Sequence, residues 1–372
     1  MQAAIGGLFS WAVLGLPAFL FVITLVVFFH ELGHFLIARW CGVAVEVFSI
    51  GFGREIVGFN DRKGTRWRIS VLPLGGYVKF AGDADAASRP DAESLSKMDA
   101  RARKDALHFK PLYQRALVAA AGPFANFILA TFIFAGLALA LGKLAAPPII
   151  DKVVPNLAAQ RAGLQTGDII RSVDGRSIED FADLVKTIEG KLDQPVHMVV
   201  TRSGRDLSLD MVPTAKQVTE DNGAKRTVGQ IGISPASVSV GLVEAFQIGI
   251  ESTWIIFRET LTYLAKIATG QESPGQLHGI LGIGALSEQQ ARIGFAAVMR
   301  LAGLMSVSIG LINLLPVPVL DGGHLLYYGC EAILRRPLGE RAQEVGFRLG
   351  LAFVLGLILL ATFNDLVRFN LF

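Results

Sequence analysis

The sequence predicts a mainly α-helical, polytopic membrane protein with four transmembrane helices and an inserted β-rich domain. Three observations carry this expectation. First, of 372 residues 52% are hydrophobic and only 18% are charged, against about 25% charged in an ordinary soluble domain, and mean hydropathy is +0.47. Second, four segments are apolar over the length needed to span a bilayer, about 20 residues. Third, the stretch between the second and third of these alternates as strands do. The net charge of +3 gives no reason to expect a nucleic-acid partner.

The first apolar segment runs from about Leu14 to Phe29 and continues in a helical pattern to Trp40. Residues 1–29 contain no Lys or Arg. The basic start of a cleavable signal peptide is therefore missing, and the span is expected to be retained. The second segment covers about Ala116 to Leu141, the third about Phe295 to Leu315 and the fourth about Val345 to Phe363. Basic residues crowd the connection between spans one and two, from Arg54 to Arg115, and recur as Arg335, Arg336 and Arg341 between spans three and four. Positive loops stay in the cytoplasm. Both termini and the long segment between spans two and three are therefore expected outside.

That long segment, roughly Ala145 to Leu277, changes character. Alternating runs such as His197–Thr201 and Leu207–Met211 read as strands, and Asp174-Gly175 and Ser203-Gly204 read as turns. A helix is expected from about Ile178 to Glu189. From about Val243 to Ala268, Phe246, Ile250, Trp254, Phe257 and Leu261 share one helix face, while Glu244, Glu251, Arg258, Glu259 and Lys266 interrupt the apolar run. This suits a helix lying on the membrane better than a fifth span. The expected division is 1–144 for spans one and two with a cytoplasmic hairpin loop, and 145–215 for the β-rich domain. Residues 216–278 make a linker strand and the interfacial helix, and 279–372 hold spans three and four. Cys41 and Cys330 lie in no paired motif and read as packing thiols.

The chemistry sits at span ends. His30-Glu31-Leu32-Gly33-His34 is HExxH on a helix. Histidines at i and i+4 share a face, so both imidazoles reach one metal ion, and Glu31 stands where it can take a proton from an attacking water. Ionisable groups at membrane depth are costly and mark function. A catalytic zinc wants a third protein ligand and an open position. Asn313-Leu314-Leu315-Pro316-Val317-Pro318-Val319-Leu320-Asp321-Gly322 closes the third span. Two prolines break the helix just before Asp321. Such backbone is tolerated at membrane depth only inside protein or beside a wet cavity. Asp321 is the expected third ligand, with His324 the rival three residues on. Asn313 is expected to hydrogen-bond freed backbone or a substrate strand. A His/His/Asp set suits zinc, but would also accept cobalt or manganese.

HExxH in the first span and NxxPxPxLDG in the third resemble the site-2 protease family of intramembrane zinc metalloproteases. Phe48–Gly53, Pro73-Leu74-Gly75-Gly76-Tyr77-Val78-Lys79 and Ala121-Gly122-Pro123-Phe124-Ala125-Asn126 resemble further motifs of its RseP-type (regulator of sigma-E protease) bacterial branch. The resemblance implies that His30, His34 and Asp321 hold Zn2+ and that Glu31 is the general base. It implies that Gly75, Gly76 and Tyr77 belong to a membrane-dipping hairpin that pairs with an unwound substrate, although Gly75 and Gly76 also fit a plain turn. Asn126 would lie near the site. Ala162-Gly163-Leu164-Gln165-Thr166-Gly167-Asp168 resembles the GLxxGD signature of PDZ domains, which take an added peptide strand. Some relatives carry two such domains, whereas one is visible here.

The resemblance further implies a bacterial inner-membrane enzyme with its site toward the cytoplasm and its PDZ domain in the periplasm. Its substrates would be single-span membrane proteins such as anti-sigma factors already shortened outside, and perhaps remnant signal peptides. A non-catalytic, membrane-anchored PDZ scaffold is the alternative, and the intact Glu31 argues against it. A transporter with a helix broken at Pro316–Pro318 is a weaker one, since no internal repeat is visible.

Overall fold

The computed structural model describes residues 11–84, 96–219 and 225–369. The first ten residues, on which the reading of a retained first span partly rests, lie outside this part. Four helices are long and apolar enough to cross a membrane: Val13–Trp40, Leu112–Leu141, Phe295–Leu314 and Arg341–Arg368. Between the second and third lies a sheet-rich insert. The mainly helical membrane fold with an inserted β-rich region is the one the sequence predicts. The chain forms two compact units, Gly136–Ala245 and the residues on either side of it.

In the membrane unit, α1 (Leu16–Trp40) continues a π-helical turn at Trp11–Gly15, and Pro17 stands just after that turn. It ends where Cys41 and Gly42 turn the chain into β1 (Val45–Asn60) and β2 (Arg66–Phe80). Both strands fold back on themselves. Residues 47–50 pair with 76–79 on one side and with 66–69 on the other, while 55–60 pair with 66–70. The 76–79 stretch is therefore an outer strand. Phe35, Ala38, Val45, Phe48, Val78 and Val118 form one buried cluster, which joins the hairpin to α1 and to the start of α2 (Leu112–Leu141). Trp67 stacks on Phe48 at 4.2 Å between ring centroids. Arg39 donates to both Asp61 and Thr65, tying the hairpin turn back to α1.

Small residues set how closely the helices approach, as packing in lipid requires. A Cβ at Gly33 would run into the Ala121 backbone, and one at Gly310 would press on Pro123 and Asn126. The Ser306 hydroxyl donates to the Asn126 carbonyl at 2.8 Å, which fixes the third span against the second.

In the Gly136–Ala245 unit, β3 (Ile150–Val153) is followed by β4 (Ile169–Val173), β5 (Arg176–Ser177), α3 (Phe181–Glu189), β6 (Val196–Arg202) and β7 (Arg205–Met211). Four of the strands form a sheet in the order β5-β4-β6-β7. β8 (Thr214–Thr219) pairs with β9 (Lys225–Gln230), and β10 (Ile233–Pro235) pairs with β3. The expected turns are found at Asp174-Gly175 and Ser203-Gly204. All four residues have positive φ, the backbone that two-residue hairpin turns demand. The helix begins at Phe181 rather than at Ile178 because the Asp180 carboxylate accepts from the Asp183 N–H and caps it there. Ile170, Val173, Leu184, Met198 and Val200 fill the core.

After this unit comes α4 (Leu242–Ala268), most of which belongs to the membrane unit. It runs antiparallel along the second span: Phe246 meets Phe132, the Thr253 and Thr131 hydroxyls lie 3.2 Å apart, and Phe257 meets Phe127. A helix that the sequence did not suggest, α5 (Ile280–Ile293), precedes α6 (Phe295–Leu314), α7 (Asp321–Leu334) and α8 (Glu340–Arg368). Asp365 of α8 is buried and accepts from the N–H groups of Gly279 and Gly282, which closes the free start of α5.

Asp168, in the PDZ-like signature, is 1% exposed. It accepts two hydrogen bonds of 2.7 Å from Arg202 and one from the Gln165 N–H. Burial acts to raise its pKa, but the guanidinium and the N–H outweigh it and hold the carboxyl below its usual value. Its contribution to stability is therefore full above the unfolded carboxylate pKa of about 3.9, and is lost as pH falls through the lower folded value. Asp168→Asn is expected to destabilise this unit by about 2 kcal/mol at neutral pH. The gap to wild type should close as the pH falls below about 4. Hydrogen exchange of the β6 amides, normalised to intrinsic rates, reads both.

Candidate metal centre

HExxH lies late in α1, where the helix is continuous, so His30 and His34 point from one face. The third partner arrives from 287 positions later in the chain. α6 ends at Leu314, residues 315–320 cross in an irregular loop, and Asp321 is the first residue of α7. The prolines at 316 and 318 prevent the helix from continuing. Val319 has φ +101°, strained backbone for a β-branched residue that costs about 1–3 kcal/mol. Packing holds the loop in place. Cβ atoms at Gly322 and Gly323 would strike the backbone of residues 314–318, and one at Gly350 of α8 would strike Pro318.

His30, His34 and Asp321 are the one group of three or more potential metal ligands among the described residues. Their donor atoms form a triangle. Asp321 Oδ2 lies 3.1 Å from His30 Nε2 and 3.4 Å from His34 Nε2, and the two nitrogens are 3.3 Å apart. Tetrahedral zinc with nitrogen and oxygen ligands at about 2.0–2.1 Å separates its ligand atoms by about 3.3 Å. The triangle fits that spacing with no rearrangement. Both histidines are 8% exposed.

The surroundings present both Nε2 atoms to a cation. His34 Nδ1 lies 2.7 Å from the Val118 carbonyl. A carbonyl only accepts, so the ring proton sits on Nδ1 and the Nε2 lone pair faces inward. Asn126 of α2 lies beside His30, with its Nδ2 at 3.3 Å from Nδ1, and its Oδ1 is buried without a partner. Turning the amide over lets Oδ1 accept from Nδ1–H, which satisfies both groups and frees Nε2 in the same way. Gly122 lies under the His34 ring, where a Cβ would overlap Nε2. The Gly122–Asn126 motif of the second span therefore supplies space for one ligand and support for the other. The Val118 carbonyl had no signal in the sequence, because any residue provides one.

Glu31 faces the hairpin: Gly76 approaches so closely that a Cβ there would meet Glu31 Cγ, Val27 and the Ser49 carbonyl. The outer strand thus lies directly beside the HExxH glutamate. Gly75 lies under the Phe52 ring. Tyr77 stacks on Phe52 with ring centroids 6.0 Å apart, and the Arg68 guanidinium lies 5.1 Å from its ring. Asn313 sits in the last turn of α6, half-buried, and its side chain makes no hydrogen bond among the described residues. His324, the rival ligand, lies outside the metal-ligand group, with its ring 6.3 Å from that of Tyr328.

Residues 18–357 match peptidase family M50. A protein of Agrobacterium fabrum named for zinc metalloprotease activity is 44% identical over 355 residues, 94% of each chain. Another of Rhizobium meliloti, named in the same way, is 42% identical over 94% of this chain and 96% of its own. The metalloprotease MmpA of Caulobacter vibrioides is 39% identical over 96% of both chains. Among solved structures, the PDZ domain of an SdrC-like protein from Listeria monocytogenes covers 25% of this chain at 20% identity, with a TM-score of 0.20, too low to bear on the fold. Agreement this long, over nearly all of each relative, leaves one assignment: the chain belongs to peptidase family M50.

Proposed function

We propose that this chain, an intramembrane zinc metalloprotease of the site-2 protease type acting on membrane proteins, cuts single-span substrates by way of Glu31. The observation that carries this is the approach of the outer strand at Gly76 to Glu31, one residue from a ligand triangle of zinc dimensions. His30, His34 and Asp321 would hold the metal. When bound, zinc acidifies water and polarises a carbonyl.

This chain's own residues do the rest. Glu31 takes the proton of the attacking water and can pass it to the departing amine. A helical substrate hides its peptide bonds and must be extended first. The outer strand at Gly76–Lys79 then offers backbone partners to replace those lost on unwinding. Gly76 keeps that strand free of a side chain toward Glu31, Gly75 lets the Phe52 ring lie against it on the other face, Tyr77 braces it through Phe52, and Asn313, with a free amide, binds exposed substrate backbone. The proposed substrates are anti-sigma factors already shortened outside and remnant signal peptides.

The bacterial relatives and four spanning helices support a multi-pass inner-membrane protein. The basic loops favour a cytoplasmic hairpin and metal site, with the PDZ-like domain and both termini periplasmic. We propose 145–215 as the body of that domain, completed by the strand Ile233–Pro235 that pairs with β3 and by Ile231 in its core, with the amphipathic helix after it and the flanking 1–144 and 279–372 as the membrane parts. Within the insert, Phe181, Leu184, Ile188, Val228, Ile231 and Ile233 line a cavity of about 220 Å³ between α3 and the β9–β10 strands. It suits an apolar peptide end or an outer substrate segment.

The test is cleavage of a tagged single-span reporter with a pre-trimmed outer domain. Glu31→Gln is expected to keep its zinc and lose activity by about 10²–10⁴-fold. Equal cleavage by both proteins would refute the role of Glu31, and no cleavage by wild type would favour a scaffold. Gly76→Val is expected to retain zinc but cut about 10²-fold more slowly, because the added side chain displaces the strand from Glu31. Parallel zinc content and rate measurements on that variant check this.

A further inference from the structure

Asp321 differs from the two histidine ligands in how it is held. His30 and His34 belong to a continuous helix, whereas Asp321 begins a new one after a strained, proline-broken loop. Its position therefore depends on where α7 lies. Among the hydrogen bonds, ion pairs and ring contacts of the described residues, two sets tie α7 to the first two spans. One is the ligand cluster itself. The other is Arg115, in the first turn of α2, whose Nη2 lies 2.8 Å from Glu331 Oε2 and whose guanidinium lies 4.9 Å from the Tyr328 ring. These charges are sheltered, with side chains 19% and 10% exposed.

We propose that Arg115 and Glu331 are positioning residues for the metal: their ion pair anchors the far part of the Asp321 helix to the span that orients both histidines. Glu331 lies ten positions after Asp321, which is about 15 Å along a helix. Arg115 lies three positions before Val118, whose carbonyl holds His34, on the same helix as Gly122 and Asn126. A helix held at one point can pivot. Over about 15 Å, a tilt of about 4° moves the Asp321 carboxylate by about 1 Å, enough to open the ligand triangle. A second attachment near Glu331 removes that freedom. Arginine suits the task, since its planar fork pairs with the carboxylate while its face covers Tyr328.

This rests on His30, His34 and Asp321 being the zinc ligands, so the experiment measures zinc affinity and not activity. Purified full-length protein is titrated against a competing chelator. His30→Ala serves as the control for the site itself: if it binds zinc as wild type does, the ligand assignment fails, whatever happens at Arg115. With that control behaving, Glu331→Gln and Arg115→Gln are expected to lose about 10-fold or more in zinc affinity, as removal of outer-shell support does. The exchanged pair Arg115→Glu/Glu331→Arg should recover most of it. Wild-type affinity in either single variant overturns the proposal, as does a folded exchanged pair no better than the singles. Removing one charge strands the other in a sheltered place, so the single variants can fail to fold. In that case the apolar pair Arg115→Met/Glu331→Leu, which strands no charge, decides. Weakened zinc binding by the folded pair supports the anchor, and unchanged binding overturns it.

Discussion

Two imidazole lone pairs and a carboxylate oxygen, all within 3.4 Å of one another in a sheltered site, repel one another unless a cation lies between them. The other features of the membrane unit are arranged around this crowding. α1 brings two of the ligands, and the second span orients both through Val118 and Asn126 and makes room for one at Gly122. The third ligand comes from a helix that can start where it does only because the third span is stopped by prolines. Glycines at 33, 122, 310, 322 and 350 mark the points where backbone meets backbone or ring. In lipid, with no hydrophobic drive between helices, such close contact is the main source of association.

The same economy explains why irregular structure is confined to the site. The loop 315–320 exposes backbone groups that lipid could not satisfy. It is enclosed by Gly322, Gly323 and Gly350 and closed internally by the Val317 N–H to the Leu315 carbonyl. The strain at Val319 sits two residues before the ligand, in keeping with the tendency of over-determined backbone to gather where geometry matters. On the other side of the site, an outer strand with bare glycines passes next to Glu31. A hydrolytic centre, a place for extended chain and an enclosed loop thus share one small region.

The local features of the site and fold were legible in the sequence. HExxH declares its geometry through helical periodicity, the spans through length and hydropathy, and the two tight hairpins through Asp-Gly and Ser-Gly. Asp321 was legible by its proline context and its resemblance to a known motif; by composition alone it would be a turn residue. What could not be read is what depends on tertiary approach. The Val118 carbonyl, the fit of Gly122 beneath His34 and the Arg115–Glu331 pair join positions 84, 88 and 216 apart in the chain. Nothing in their local sequence names a partner. The hairpin was expected as a single feature, yet each strand bends and pairs twice, and in β1 the bend falls where Gly51 and Gly53 take positive φ. The run of α4 along the second span was hidden for a related reason. An amphipathic pattern shows that one face is covered, but not by what.

Residues 30, 34 and 321 together form one zinc site. X-ray absorption at the zinc edge tests it directly when wild type is compared with Asp321→Cys. Wild type should show only nitrogen and oxygen neighbours at about 2.0–2.1 Å, and the variant should gain one sulfur at about 2.3 Å. A variant that binds zinc stoichiometrically with no sulfur shell would place the metal elsewhere and contradict the account.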